Sequence, residues 1–255
     1  MSHILILLFS MLFVFQESSL LSTEILAIRN SAKLWPNRIY LATYPRSGNH
    51  WTRYLIEEAT HIATSSVFCD PEPQHLSTPF VWGGYCAKNG CIGTCRYPTF
   101  YEGAVIKTHF PVNDPTPFDT LPYIRTIRIV RHPLDSIYSF YVLMQKFHNL
   151  PVEHYIPRSD LQVFVEKWKQ FQEHWDQAEN VVTIYYEELY NNPEINLKLI
   201  LDATGYDYTE KDLQRAIKKF PPTGGLYKHF DHFTDEDIKL VHEQLVELME
   251  KHGYY

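Results

Sequence analysis

Short apolar runs that alternate with helical patterns are the feature that most constrains the fold of this chain. Four runs are rich in aliphatic and β-branched residues and have the length of buried strands, at residues 39–45, 103–109, 126–133 and 181–189. Apolar residues recur at helical spacing at residues 49–63, 134–147, 160–179, 193–203, 210–219 and 235–251, and Thr234 is a candidate cap for the last of these helices. This alternation predicts one α/β domain with a central parallel β-sheet flanked by helices.

The composition indicates a globular chain and argues against a nucleic-acid partner. Hydrophobic residues make up 45% and charged residues 21% of the 255 residues, which suffices for a sizeable core and excludes a disordered chain. Lys and Arg number 23 against 30 Asp and Glu, so the formal net charge is -7. Proteins that coat DNA or RNA are basic, whereas this chain is acidic. A local basic pocket for a small anion is the arrangement that stays open.

The first 22 residues form a segment apart from this domain. Residues 4–15 are apolar except for Ser10, which is too short a run for a comfortable membrane span but suits a signal peptide. The basic start of a signal peptide is missing, since the first arginine is Arg29. We expect residues 1–22 to be a signal peptide or a short hydrophobic anchor, with the rest exported or in the lumen of the secretory pathway. The alternative is a buried N-terminal element in a cytoplasmic protein.

All four cysteines lie inside one loop-rich insertion at residues 67–101, as Cys69, Cys86, Cys91 and Cys95. Their crowding beside glycine turn signals predicts a loop stapled by disulfide bonds, which agrees with export. Three pairings are open, and four free buried thiols are the alternative. A zinc site is disfavoured because the segment has no CxxC pair, and no metal is expected.

Polar residues follow three of the predicted strands, at the sheet edge where ligands of parallel sheets bind. After the first strand comes TYPRSGNHWTR, in which Arg46, Ser47 and Gly48 precede a helix. An arginine together with the backbone amides of residues 47–49 at a helix N-terminus makes a cradle for phosphate or sulfate. The segment is not a Walker A loop, because GxxxxGK[ST] is absent. An ordinary turn with a surface arginine is the alternative.

The second strand ends in VIKTHFP, where Lys107 and His109 alternate with Thr108 and so fall on one side of an extended chain. A histidine is a suitable proton acceptor near neutral pH, and the neighbouring cation can stabilise charge on a group in transfer. The chain has 13 histidines, and a structural histidine is the alternative.

The third motif is IVRHPLDSIYSFY, with Arg131 at the strand end and Ser136 and Ser139 in the first turns of the next helix. A guanidinium and a helix hydroxyl at this spacing can hold a phosphate. The alternative is an Arg131–Asp135 salt bridge with serines that serve only as helix caps.

Together these motifs resemble the sulfotransferases that use PAPS (3′-phosphoadenosine-5′-phosphosulfate). TYPRSGNHW is similar to the 5′-phosphosulfate loop of that family, KTHFP to its KTHxP segment and VRHPLDSIYSFY to its 3′-phosphate segment. IYYEELYNNPEINLKLILDATGY resembles the family's YYEDxxxxP-helix-G segment. The resemblance covers roughly residues 38–206 and implies a P-loop-NTPase-like sulfotransferase fold in a domain at residues 36–252.

The resemblance also implies roles for individual residues. Arg46 would hold the 5′-phosphosulfate and stabilise the leaving phosphate, and Arg131 with Ser139 would bind the 3′-phosphate. His109 would accept the proton of an acceptor hydroxyl or amine, while Lys107 would steady the sulfuryl group. The phosphosulfate cradle would be completed by Ser47, Gly48, Asn49 and His50. Trp51 would stack on the adenine, and Tyr186 would lie near the donor.

Three departures from the family pattern affect this interpretation. Arg46 stands where the soluble enzymes have lysine, and Asn49 and His50 replace the usual two threonines. The C-terminal RKGxxGDW donor lid has no match, so Lys228, or Lys218 and Lys219, are the candidates to replace it. Aromatic residues in the cysteine insertion suit an acceptor that is a carbohydrate, a small molecule or a peptide, and packing within the stapled loop is the alternative for them. Another nucleotide-dependent transferase or kinase, or an inactive nucleotide-binding relative, are the competing functions.

Overall fold

A parallel sheet of five strands forms the centre of the computed structural model, which describes residues 38–62, 64–67, 105–112 and 123–254. The strands are β1 (Ile39–Thr43), β2 (Ser65–Ser66), β3 (Val105–Thr108), β4 (Arg125–Val130) and β5 (Val181–Tyr185). Their order is β2-β3-β1-β4-β5, and Leu41 of β1 lies between Lys107 of β3 and Ile127 of β4. The predicted α/β class with a central parallel sheet is confirmed.

Helices follow most of the strands. They are α1 (Asn49–Thr60), α2 (Pro133–Phe147), α3 (Arg158–Asp176), α4 (Tyr186–Asn191), α5 (Pro193–Thr204), α6 (Glu210–Lys219) and α7 (Asp235–His252), with a short 3-10 turn at Phe230–His232. The prediction of one strand over residues 181–189 is wrong at its end, because α4 begins at Tyr186. Glu187 in its first turn accepts hydrogen bonds from the amide of His132 and the hydroxyl of Tyr254, which tie α4 to the neighbouring strand end and to the C-terminus.

Alternate side chains of β1 pack into two separate hydrophobic cores, one on each face of the sheet. Tyr40 and Ala42 face the core that contains residues of α2, α3 and α7, whereas Ile39 and Leu41 face the core built with α1, α5 and α6. Both faces of the sheet are therefore covered, which explains why the strands are continuous apolar runs. Thr234 caps α7 as predicted, in a capping box with Asp237.

The strand order decides where the polar strand ends meet. The chain leaves β1 between β3 on one side and β4 on the other, and this is the position where open parallel sheets bind ligands. The turn after β1 and the segment after β4 consequently lie beside each other.

Several sequence predictions fall outside the described residues and stay predictions. These are the signal peptide or anchor at residues 1–22, the pairing of the four cysteines, and the aromatic acceptor side of the insertion. Within the described ranges, no helix has both the length and the apolar character needed to cross a membrane.

Candidate active site

The turn between β1 and α1 has an unusual backbone conformation. Arg46 has a φ of 68° and Gly48, the N-cap of α1, has a φ of 94°. No side chain caps α1 at Gly48, so the positive end of the helix is available to an anion. Ser47 differs from the other residues of the turn, because its amide donates to the carbonyl oxygen of Tyr44 (3.1 Å) and its side chain is fully buried.

Gly48 is required here for a second reason, which is its close approach to an aromatic ring. A Cβ built at Gly48 would lie 2.6 Å from Cδ2 of Tyr186. Tyr186 begins α4 directly after β5, and the guanidinium of Arg131 lies over its ring, with Cζ 4.5 Å from the ring centroid. One ring thus links the ends of β1, β4 and β5.

Two arginines are held side by side by polar contacts. Arg131 donates from Nη1 to the carbonyl oxygen of Arg46 (2.9 Å), and Arg46 donates from Nε to the Oγ of Ser139 (3.0 Å). Desolvation by the surrounding protein and then repulsion from Arg131 lower the pKa of Arg46. No ion pair joins Arg46 to a carboxylate within the described part of the chain. Ser136, in contrast, donates to the carbonyl oxygen of His132 (3.1 Å) and serves its own helix.

These groups open onto a cleft of ≈ 280 Å³. Eight of the predicted site residues line it, together with a segment that precedes α7: Arg46, Gly48, Asn49, His50, Trp51, Arg131, Ser139 and Tyr186, and Thr223, Gly224, Gly225 and Lys228. None of these lining residues is an aspartate or a glutamate. The cleft is therefore suited to a ligand with several negative charges.

Lys228 is the lysine that reaches this cleft from the C-terminal part of the chain. Its Nζ lies 3.3 Å from the position that a Cβ of Gly224 would occupy. Lys219 instead pairs with Glu58 (2.6 Å), and Lys218 is an exposed residue of α6 that is absent from the lining. Of the candidate lysines, Lys228 therefore lines the cleft, whereas Lys218 and Lys219 do not.

Trp51 contributes a ring of fixed orientation to the cleft wall. Its Nε1 donates to the carbonyl oxygen of Phe220 (2.9 Å), and its ring meets that of Tyr186 edge to face with centroids 5.9 Å apart. An aromatic wall of this kind can pack against a planar base.

His109 and Lys107 lie at the end of the neighbouring strand β3 and are absent from the lining of the cleft. His109 is 8% exposed, and its Nδ1 is 2.6 Å from the carbonyl oxygen of Thr43 at the end of β1. A carbonyl oxygen only accepts, so in the neutral ring Nδ1 carries the proton and Nε2 carries the basic lone pair. Lys107 is buried in the strand.

Sequence reasoning treated Asp135 only as the salt-bridge partner of Arg131. Its Oδ2 is indeed 3.3 Å from Nη2 of Arg131. The carboxylate also accepts from the amides of Tyr227 (2.8 Å) and His229 (3.1 Å), on either side of Lys228. No sequence signal shows these two bonds, because they join residues about ninety positions apart.

Comparison with known proteins agrees with this geometry. Residues 36–221 match the sequence model of the sulfotransferase domain. Mouse Sulfotransferase 1A1 is 25% identical over 199 residues, which cover 72% of this chain and 65% of the mouse protein, so the chain spans about two thirds of that relative.

Two solved structures have the same fold. Mouse sulfotransferase SULT7A1 complexed with PAP, the desulfonated product of PAPS, has a TM-score of 0.58 at 18% identity, covering 87% of this chain and 88% of its own. Retinol dehydratase in a complex with retinol and PAP has a TM-score of 0.53 at 16% identity, covering 84% and 82% of the two chains. The matched domain includes every strand of the sheet described above. The chain belongs to the sulfotransferase family.

Proposed function

We propose that this chain transfers a sulfuryl group from PAPS to a hydroxyl or amine of an acceptor. The observation that carries the proposal is the cleft itself, which is lined by Arg46, Arg131, Ser139, Lys228 and the uncapped N-terminus of α1. Guanidinium groups and free helix amides are the donors that proteins use for phosphate and sulfate.

A nucleotide with negative groups at its 3′ and 5′ positions matches this charge distribution. The 5′-phosphosulfate would bind Arg46 and the first turn of α1, and the 3′-phosphate would bind Arg131 and Ser139. Trp51 supplies the wall for the adenine. The solved relatives of the same fold contain PAP, which supports this donor.

The proton is handled by His109 in the proposed mechanism. Its Nδ1 bond to the carbonyl oxygen of Thr43 favours the tautomer with a basic Nε2. Nε2 accepts the proton of the acceptor as the new O–S or N–S bond forms and the bond between sulfur and the phosphate oxygen of the donor breaks. PAP leaves with the electron pair of that bond.

Charge stabilisation falls to Arg46 and Lys107. Sulfuryl transfer resembles phosphoryl transfer with a loose in-line transition state, in which positioning and electrostatics supply most of the rate enhancement. Arg46 retains its proton near neutral pH, so it stabilises the leaving phosphate by fixed charge and hydrogen bonding.

Calorimetric titration with PAP, AMP and ATP tests the donor. PAP is expected to bind about 10- to 100-fold more tightly than AMP, and Arg131→Ala should remove that preference, because a hydrogen bond to a charged group contributes about 1.5–3 kcal/mol. Arg125→Ala is the matched control, since Arg125 is the first residue of β4, the strand that Arg131 follows, but it donates to the carbonyl oxygen of Ala203. Equal affinities of the native protein for PAP and AMP would refute the proposal.

A transfer assay tests the reaction. Sulfate transfer from labelled PAPS is measured on a panel of phenols, sugars, amines and peptides, and His109→Ala should abolish it while PAP still binds. His148→Ala, at the C-terminal end of α2, is the control for loss of a histidine. Mg²⁺-dependent turnover of ATP would favour a kinase instead, and binding of PAP without transfer to any acceptor would favour an inactive relative.

A further inference from the structure

One buried carboxylate contacts both the cleft arginine Arg131 and the residues on either side of Lys228. The side chain of Asp135 is fully buried in the first turn of α2 and pairs with the cleft arginine Arg131. Its Oδ2 is shared by the guanidinium of Arg131 (3.3 Å) and the amide of Tyr227 (2.8 Å), and its Oδ1 accepts from the amide of His229 (3.1 Å). These two amides flank Lys228, so the backbone of this lysine is fixed on both sides.

The backbone around Lys228 would not adopt this shape readily by itself. Gly224 and Gly225 have φ values of 92° and 76°, and Tyr227 has a φ of 52°, which is strained for a bulky residue. Strain of this kind persists where other contacts determine the conformation, and the amide bond to Asp135 is such a contact at Tyr227.

We infer that Asp135 is a positioning residue that couples Arg131 to Lys228, so that both cations hold the 3′-phosphate of the donor at once. The inference rests on the proposed function. It explains how the 3′-phosphate could be held although RKGxxGDW, the lid of the soluble enzymes, has no match: the residues on both sides of Lys228 are bound by the carboxylate that also pairs with Arg131.

Asp135→Asn is the informative substitution, because asparagine has the same shape but one acceptor oxygen and no charge. We expect the affinity for PAP to fall about 10- to 100-fold and that for AMP to change less than about 3-fold, as follows from loss of charged hydrogen bonds at the 3′-phosphate alone. Lys228→Ala should weaken PAP binding in the native background but add nothing in Asp135→Asn, as coupled residues do in a double-mutant cycle.

Asp237→Asn is the matched control. Asp237 is also a buried carboxylate that accepts a backbone amide and pairs with an arginine, Arg158, but it does not line the cleft. This variant should lower thermal stability and leave the PAP-to-AMP affinity ratio unchanged. An equal change of that ratio in Asp237→Asn and Asp135→Asn would show a structural role only and would overturn the inference.

Hydrogen exchange of the native protein gives a test that needs no variant. Saturation with PAP should slow exchange of the Tyr227 and His229 amides at least 10-fold, and saturation with AMP should not. Unchanged exchange with PAP, or additive effects of Asp135→Asn and Lys228→Ala, would overturn the inference while the proposed function stands. Equal affinity of the native protein for PAP and AMP would instead overturn the proposed function, and the inference with it.

Discussion

Gly48→Ala is the substitution that tests the architecture of the cleft most directly. The residue has φ 94° and ψ 13°, and alanine in left-handed backbone costs about 1–2 kcal/mol. In addition, the new Cβ would lie 2.6 Å from Cδ2 and 2.7 Å from Cε2 of Tyr186, where ordinary contacts begin at 3.4 Å. The ring must therefore retreat by about 0.8 Å.

The surroundings of Tyr186 resist that retreat. Trp51 meets its ring edge to face at 5.9 Å between centroids, Tyr190 lies at 6.4 Å, and the Arg131 guanidinium covers it at 4.5 Å. Overpacking of a filled site costs about 1–3 kcal/mol. Together with the backbone term, Gly48→Ala should lower the free energy of unfolding by about 2–5 kcal/mol. Because the ring carries Arg131 with it, PAP affinity should fall about 10-fold or more, as expected when a charged hydrogen bond is lost.

Urea unfolding and calorimetric titration with PAP measure these two effects. Gly205→Ala is the matched control: Gly205 also has left-handed backbone, with φ 68° and ψ 13°, but nothing lies within 4 Å of its Cβ position. Gly205→Ala should lower the free energy of unfolding by the backbone contribution alone and leave the PAP affinity at its native value. Adding Tyr186→Ala to Gly48→Ala should remove the steric part of the cost. Equal destabilisation by Gly48→Ala and Gly205→Ala, with native PAP affinity in both, would refute the reasoning.

Three further predictions concern stability and charge. Burial lowers the pKa of His132 to about 4 from 6.5, so the unfolded chain binds the proton first as the pH falls. The native state should lose about 2 kcal/mol from this group between pH 7.5 and pH 5. His132→Asn retains a cap for α2 and should remove that part of the pH dependence in urea unfolding; an unchanged dependence would contradict the assignment. Asp176→Asn should lower the unfolding free energy by about 3–5 kcal/mol with native PAP affinity in the folded protein, since it leaves the buried Arg128 without its carboxylate partner at 2.7 Å. Lys219→Ala should leave PAP affinity within about 2-fold of native, because this lysine pairs with Glu58, and a 10-fold loss would assign it to the cleft.

The sequence predicted most of the sheet and the arginine side of the cleft, because both depend on local patterns. The apolar runs of the strands end where polar residues begin, and the carboxyl ends of parallel strands lie at one edge of the sheet. The sequence therefore predicted that Arg46 and Arg131 lie close together. Strand β2 has two residues, Ser65–Ser66, and a pair this short has no periodicity to detect. Helix α4 was missed because its first residues, Tyr186 and Glu187, continue a strand-like run, and tertiary hydrogen bonds decide their conformation.

The lysine that the C-terminal part of the chain contributes to the cleft was predicted only as a choice among Lys228, Lys218 and Lys219. Lys218 and Lys219 lie on a strongly amphipathic helix, and which of its charges is paired depends on α1, which packs against it. Lys228 stands between two residues, Tyr227 and His229, whose amides donate to Asp135. Contacts over such sequence separations leave no mark in local hydrophobicity or spacing.

Arginine at position 46 places and fixes its positive charge in the cleft differently from a lysine at the same position. Its Nε donates to the Oγ of Ser139 in α2, and its carbonyl oxygen accepts from Nη1 of Arg131, so the two arginines of the cleft are fixed relative to each other. A lysine could keep the backbone contact but would lose the planar fork and the bond to Ser139 in its present geometry. It would also bring a proton that can be given up, whereas the guanidinium would keep its proton throughout the proposed reaction. In the proposed reaction, preorganised charge would balance the negative charge that develops on the leaving phosphate, and we therefore expect exchange of Arg46 for lysine to be a non-conservative change.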